Sequence, residues 1–159
     1  MRHRSTLYAL FAVMLLSGAL VACGGDDAPS KEEFAQSADK VCADVEDRFQ
    51  QLDNADPDSL KELESMIGDM KSAGAAGIKR LEGLERPDGD AGKQAEEFVS
   101  ATKSEWNEQA VPALDELTKA ARDKDEVALR SAVRKLDALQ NTPSEKIAED
   151  LGADECAEG

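Results

Sequence analysis

Apolar residues between Phe34 and Leu151 recur at spacings of three and four, and this limits the possible folds more than any other feature of the chain. A half-buried strand needs strict alternation, whereas a helix shows one apolar stripe every 3.6 residues. The first stripe is Phe34, Ala38, Val41, Val45, Phe49 and Leu52. The second runs from Leu60, Leu63 and Ile67 through Met70, Gly74 and Ile78 to Leu81 and Leu84. A third carries Phe98, Thr102, Trp106, Ala110, Leu114, Leu117 and Ala121, and a fourth Leu129, Ala132, Leu136 and Leu139. A short fifth stripe holds Ile147 and Leu151. Alternating patterns are absent and β-branched residues are sparse, so no strand is predicted.

Helix-end signals divide these stripes. Ser30 and Glu33 form a capping box. Asp56-Pro57 is predicted to stop one helix and start the next, with Asp as cap and Pro in the first turn. The second helix ends before Pro87-Asp88-Gly89, and the third opens near Asp90. Pro112 lies inside the third and should kink or break it near Val111. Asp123 and Glu126 read as another capping pair. Thr142-Pro143-Ser144-Glu145 caps the last helix, which Gly152 ends. Short connections between long amphipathic helices imply antiparallel neighbours. The expectation for residues 30–159 is an all-α, antiparallel up-down bundle. It has about four helices, plus a short C-terminal helix folded back towards Cys42. Disorder is the competing reading for so charged a chain; repeated caps and a sustained stripe oppose it.

Residues 1–22 have the three parts of an export leader: Arg2 and Arg4, an apolar run from Leu7 to Leu20, and small Ala22. The run is too short for a membrane-spanning helix of about 20 residues. Leu20-Val21-Ala22-Cys23 resembles the lipobox of bacterial lipoproteins. That resemblance implies cleavage before Cys23 and a diacylglyceryl group on its thiol, with further acylation of the new amine in some bacteria. The other reading is an ordinary secretory leader with an incidental cysteine. Each buried CH₂ contributes about 0.8 kcal/mol, so two or more chains hold a protein firmly to a bilayer. Residues 23–29 would then be the lipidated cysteine and its tether. Gly24 to Pro29 spans about 20 Å when extended. Gly24 follows Cys23 where some lipoproteins carry an aspartate that retains them at the inner membrane.

The layout as a whole resembles the small lipoproteins of GC-rich bacteria, with a lipobox, a short polar tether and an all-helical domain. The matching features are Leu20 to Cys23, Val41-Cys42-Ala43 on the first helix, and the closing Leu151-Gly152-Ala153-Asp154-Glu155-Cys156. The resemblance implies a place at the bacterial cell membrane, facing outside the cytoplasm, and a helical architecture. It implies no activity.

Removal of the leader takes 22 of the 159 residues, leaving 137, enough for one domain. It also takes two of 19 basic residues and none of 34 acidic ones, leaving a side-chain charge of −17. Such a chain repels phosphates, which excludes nucleic acid as a partner. Anionic headgroups repel it too, within a screening length of about 8 Å. His3 and Tyr8, the sole histidine and tyrosine, both lie in the leader. The mature chain therefore has no imidazole for a catalytic triad, a Cys-His pair or a proton shuttle, and none to ligate zinc or haem. Neither a cofactor nor a metal site is expected. With Cys23 lipidated, Cys42 and Cys156 remain, and in an exported chain they read most simply as one disulfide. Two free thiols or a soft-metal site are the alternatives. A bond closing a loop of 114 residues is worth about 4–5 kcal/mol in the chain-entropy model. In a chain only 4% aromatic, a core rich in alanine would benefit from it.

Two S-x-x-K strings, Ser37 to Lys40 and Ser100 to Lys103, match the nucleophile motif of penicillin-binding enzymes. The K-T-G and S-D-N partners of that motif are missing, and both read as chance matches on solvated helix faces. Acidic clusters include Asp44, Glu46 and Asp47; Asp53, Asp56 and Asp58; and Asp123, Asp125 and Glu126. Asp88-Gly89-Asp90 begins like a calcium loop but has Lys93 at position six and Val99 at position twelve. These acids suit helix caps and first turns, with weak, non-specific calcium association at most.

Gly68, Gly74, Gly77 and Gly83 all fall in the second helix, and each costs about 1 kcal/mol against alanine. Close packing, a kink or a hollow between helices would each account for them. A hollow would be lined by Met66, Met70, Gly74, Ile78 and Trp106, the last either as core or at the rim.

The first functional expectation is a lipid-anchored, envelope-facing, non-enzymatic helical protein that binds a protein or envelope component. The second is a carrier of a small apolar or amphiphilic ligand within the bundle. An enzyme ranks third. Carboxylate pairs alone can run glycoside hydrolysis, but the sequence shows no cleft-forming architecture to hold such a pair.

Overall fold

A computed structural model describes residues 28–53, 57–139 and 142–158, which are helical almost throughout and contain no strand. The leader, Cys23, the tether as far as Asp27, and Asp56 lie outside the described residues. The elements are α1 (Lys31–Asp53), α2 (Leu60–Glu82), α3 (Gly89–Glu105), a π turn (Trp106–Ala110), α4 (Val111–Asp123), α5 (Glu126–Asp137), α6 (Pro143–Leu151) and α7 (Asp154–Ala157). α1 and α2 form one antiparallel hairpin, and α4 and α5 form another. α3, the π turn and α4 follow one another without a break as a single long rod against α2. The fourth layer is divided: α5 lies along α4, while α6 lies along α3. α7 then packs on α1 and brings Cys156 to Cys42, with the two Cα atoms 5.2 Å apart in a disulfide.

The capping box at α1 is present: the Ser30 N–H donates to Glu33 Oε2 at 2.8 Å, and the Glu33 N–H to Ser30 Oγ at 3.1 Å. Two other starts differ from expectation. α2 begins at Leu60 and is capped by Ser59, whose Oγ accepts from the Glu62 N–H at 3.3 Å. Glu62 Oε2 accepts in return from the Asp58 N–H at 2.9 Å. Ser59 and Glu62 form the S-x-x-E pattern, so Pro57 precedes the helix instead of opening it. α5 is capped by Asp125, not Asp123; its Oδ1 accepts from the Val127 and Ala128 N–H groups, each at 3.0 Å. The reason is Lys124, which takes a left-handed conformation at φ 55° and ends α4 after Asp123, so that Asp123 belongs to α4.

Pro112 does not break its helix. The turn ahead of it widens, with the Val111 N–H reaching back to the Trp106 carbonyl. A π turn at this point relieves the clash of the proline ring with the preceding turn. α7 was not anticipated as a separate element. Gly152, at φ 78°, ends α6, and the chain re-enters helix at Asp154.

The main core lies at the disulfide end. Phe34, Phe98 and Leu151 are its largest fully buried side chains, packed among small residues such as Ala38, Ala95 and Ala148. Arg86 closes this end of α2 by donating to the Leu81 and Leu84 carbonyls. Its guanidinium sits 5.5 Å from the Phe34 ring centroid, within cation–π reach. Ion pairs stitch neighbouring helices: Arg80–Asp44, Lys103–Glu82, Arg122–Glu64, Lys71–Asp115 and Lys135–Glu116. Such solvated pairs contribute little to stability individually.

Candidate functional site

The two short helices of the fourth layer meet at the level of the π turn, and a trough of about 400 Å³ opens there. α1 supplies Val41, Val45 and Phe49; α2 supplies Gly74, Gly77, Ile78 and Leu81. Thr102, Trp106 and Ala110 form the third wall, and Leu136 and Leu139, from the end of α5 and just beyond it, form the fourth. Phe49 and Trp106 stack at one end, with ring centroids 6.1 Å apart and an interplanar angle of 21°. The Cys42–Cys156 bridge lies at the other end. From Val41 to Phe49 the floor measures about 12 Å along α1.

The glycines of α2 make this arrangement possible. A Cβ at Gly74 would clash with the Trp106 ring, and one at Gly77 would meet Val45 Cγ2. Close packing therefore occupies both glycine positions, and the hollow lies beside it. Gly74, Ile78 and Trp106 all line the trough, with Trp106 half-buried in the wall. Met66 and Met70 do not line the trough. They lie two turns and one turn earlier on α2, where α2 packs against α4 and Ile67 is the buried residue.

The polar groups of the trough also hold α6 in place. Glu105, the last residue of α3, accepts from the Ser144 N–H at 3.1 Å and from the Ser144 hydroxyl. It thus caps the first turn of α6 from another helix. Glu145 Oε2 accepts from the Thr142 N–H at 3.1 Å. Glu46 accepts from Gln50 Nε2 at 2.9 Å. Outside the trough, Asp39 of α1 does for α7 what Glu105 does for α6: its Oδ1 accepts from the Glu155 and Cys156 N–H groups at 3.0 and 3.4 Å. Among the described residues four glutamates line the trough, namely Glu46, Glu105, Glu145 and Glu155, and no lysine or arginine does.

The remaining motifs assemble no comparable site. The Ser37 hydroxyl donates to the Glu33 carbonyl at 2.8 Å. Lys103 pairs with Glu82 at 2.7 Å, and Lys93 with Asp90 at 2.7 Å. Among the described residues no three Asp, Glu, His or Cys side chains are grouped closely enough to hold a metal ion. A second, shallow depression lies on one face of α3 around Glu96, Ser100 and Ser104. No described helix is long and apolar enough to cross a membrane.

Perturbed ionisations lie outside the trough. The Arg122 guanidinium bonded to Glu64 holds that carboxyl below its usual value. Glu82 and Asp123, each hydrogen-bonded to its lysine, raise Lys103 and Lys119 respectively.

No protein-family model, curated protein or solved structure matches the chain.

Proposed function

We propose that this protein is a non-enzymatic binding protein, held at the bacterial envelope by lipid on Cys23, that carries a small apolar or amphiphilic ligand in the trough beside Trp106. The observation that carries the reading is the trough itself. Its volume, about 400 Å³, falls within the range of small-molecule sites, and its walls are mostly apolar with a few polar groups, as in such sites. The stacked Phe49 and Trp106 offer a rigid aromatic end wall.

The alternative is docking of an envelope protein, and the surface gives it less support. Leu60, Val127 and Val133 are the exposed large apolar side chains among the described residues. Three such residues are few for the centre of an interface that buries about 800 Å² on each partner.

Native mass spectrometry of the Cys23→Ser chain, purified gently from the envelope, tests the proposal. A reproducible small-molecule adduct, lost in an Ile78→Phe variant that narrows the trough, is the expected result. An adduct retained equally by the variant would place binding elsewhere. A bare chain in every preparation that also takes up no added amphiphile would overturn the reading.

A further inference from the structure

We propose that the ligand of the trough carries a positive charge beside its apolar body, as in an alkylamine or alkyl quaternary ammonium; this rests on the binding reading above. Charge complementarity leads to it. Elsewhere in the bundle, several carboxylates at helix–helix contacts are matched by cations, as in Asp44 with Arg80, Glu82 with Lys103 and Glu64 with Arg122. Among the described residues, Glu46, Glu105, Glu145 and Glu155 of the trough have no Lys or Arg partner and no basic side chain lines the walls.

The glutamates are not spent on their local bonds. A carboxylate offers about four acceptor positions, and Glu105 uses two of them on Ser144. Glu105 and Glu145 are half-buried, where reduced solvent screening strengthens attraction to a nearby cation. An anionic amphiphile would meet the same apolar walls but be repelled by these glutamates. The structure thus assigns the apolar walls to the ligand's body and the carboxylates to its head.

The test compares three probes with the same tail, each below its micelle-forming concentration: octyltrimethylammonium, octan-1-ol and octyl sulfate. Each is titrated calorimetrically into the Cys23→Ser chain at physiological salt. The cation should bind at least about tenfold tighter than the alcohol, a difference of about 1.4 kcal/mol, and the sulfate weakest of all. The double variant Glu46→Gln/Glu155→Gln should bring the cation-to-alcohol ratio towards one. Glu97→Gln/Glu149→Gln, with the same change in net charge outside the trough, should leave that ratio unchanged.

Equal binding of cation and alcohol would overturn the charge assignment while leaving the binding reading intact. Equal loss of preference in both double variants would also overturn it, because the overall acidity of the chain would then be the cause. Failure of all three probes to bind would remove the binding reading, and the charge assignment with it.

Discussion

The Trp106 ring occupies the space that a Cβ on Gly74 would need. This one contact links the composition of α2, the seating of the π turn and the end wall of the trough. Gly68, on the same helix, has nothing within 4 Å of its would-be Cβ. Alanine at the two positions should therefore act in opposite directions. Gly68→Ala gains up to about 1 kcal/mol from helix propensity. Gly74→Ala loses about 1–3 kcal/mol, because Trp106 must leave its seat. Urea midpoints give the signs, and Trp106 emission should shift only for Gly74→Ala.

The disulfide and Asp39 hold the same short helix, α7, against α1. Replacing both Cys42 and Cys156 with serine should cost about 2–4 kcal/mol. Asp39→Ala should cost about 1 kcal/mol in the bridged protein, as for loss of a helix cap. The two losses should not add, because α7 is released once in either case. A double-mutant cycle of unfolding free energies checks this, and simple additivity would show that the two ties act on separate units.

Glu64 and Arg122 join α2 to α4, and the guanidinium holds the Glu64 carboxyl below its ordinary value of 4.5. A carboxyl lowered in the folded state contributes stability above the ordinary value, and that contribution fades as pH falls through the folded one. Lys103, raised by Glu82, behaves in the opposite sense. Its contribution holds below the ordinary 10.5 and fades as pH rises through the folded value. Glu64→Gln should therefore be less stable than the parent at neutral pH and indistinguishable from it in strong acid. Lys103→Gln should converge on the parent only in strong alkali. Lys103 is exposed and Glu64 partly so, so the differences are small and shrink with added salt. Thermal melts across pH read them.

Much of the bundle is legible in the sequence because its period is helical and Ser30, Thr142 and Gly152 mark helix ends well. The starts of α2 and α5 are less so, because Asp56, Pro57, Ser59, Asp123 and Asp125 all offer cap chemistry within a few residues. Geometry selects among them, through the left-handed turn at Lys124 in the case of α5. Three of the five residues expected at a hollow meet there. Met70 shares the α2 stripe with Gly74, and Met66 lies four residues before Met70, but a stripe gives only a direction around the helix. Position along the axis depends on the partner, and Trp106 seats on Gly74, at one end of the trough. The Glu105–Ser144 contact has a signal in the numbering. Glu105 lies nineteen residues before Lys124, and Ser144 lies nineteen after Asp125, so an antiparallel hairpin about that turn sets them opposite each other. Asp39 and α7 carry no such signal, because their meeting depends on the long return to Cys42.

Emission from Trp106, the sole tryptophan of the chain, tests the central claim most directly. The Cys23→Ser chain and its Ile78→Phe variant are titrated side by side with octan-1-ol and with octyltrimethylammonium. The account predicts a saturable change in emission with both probes in the parent and little or none in the variant, with the variant still folded by circular dichroism. No saturable change in the parent, or the same change in both proteins, would contradict it.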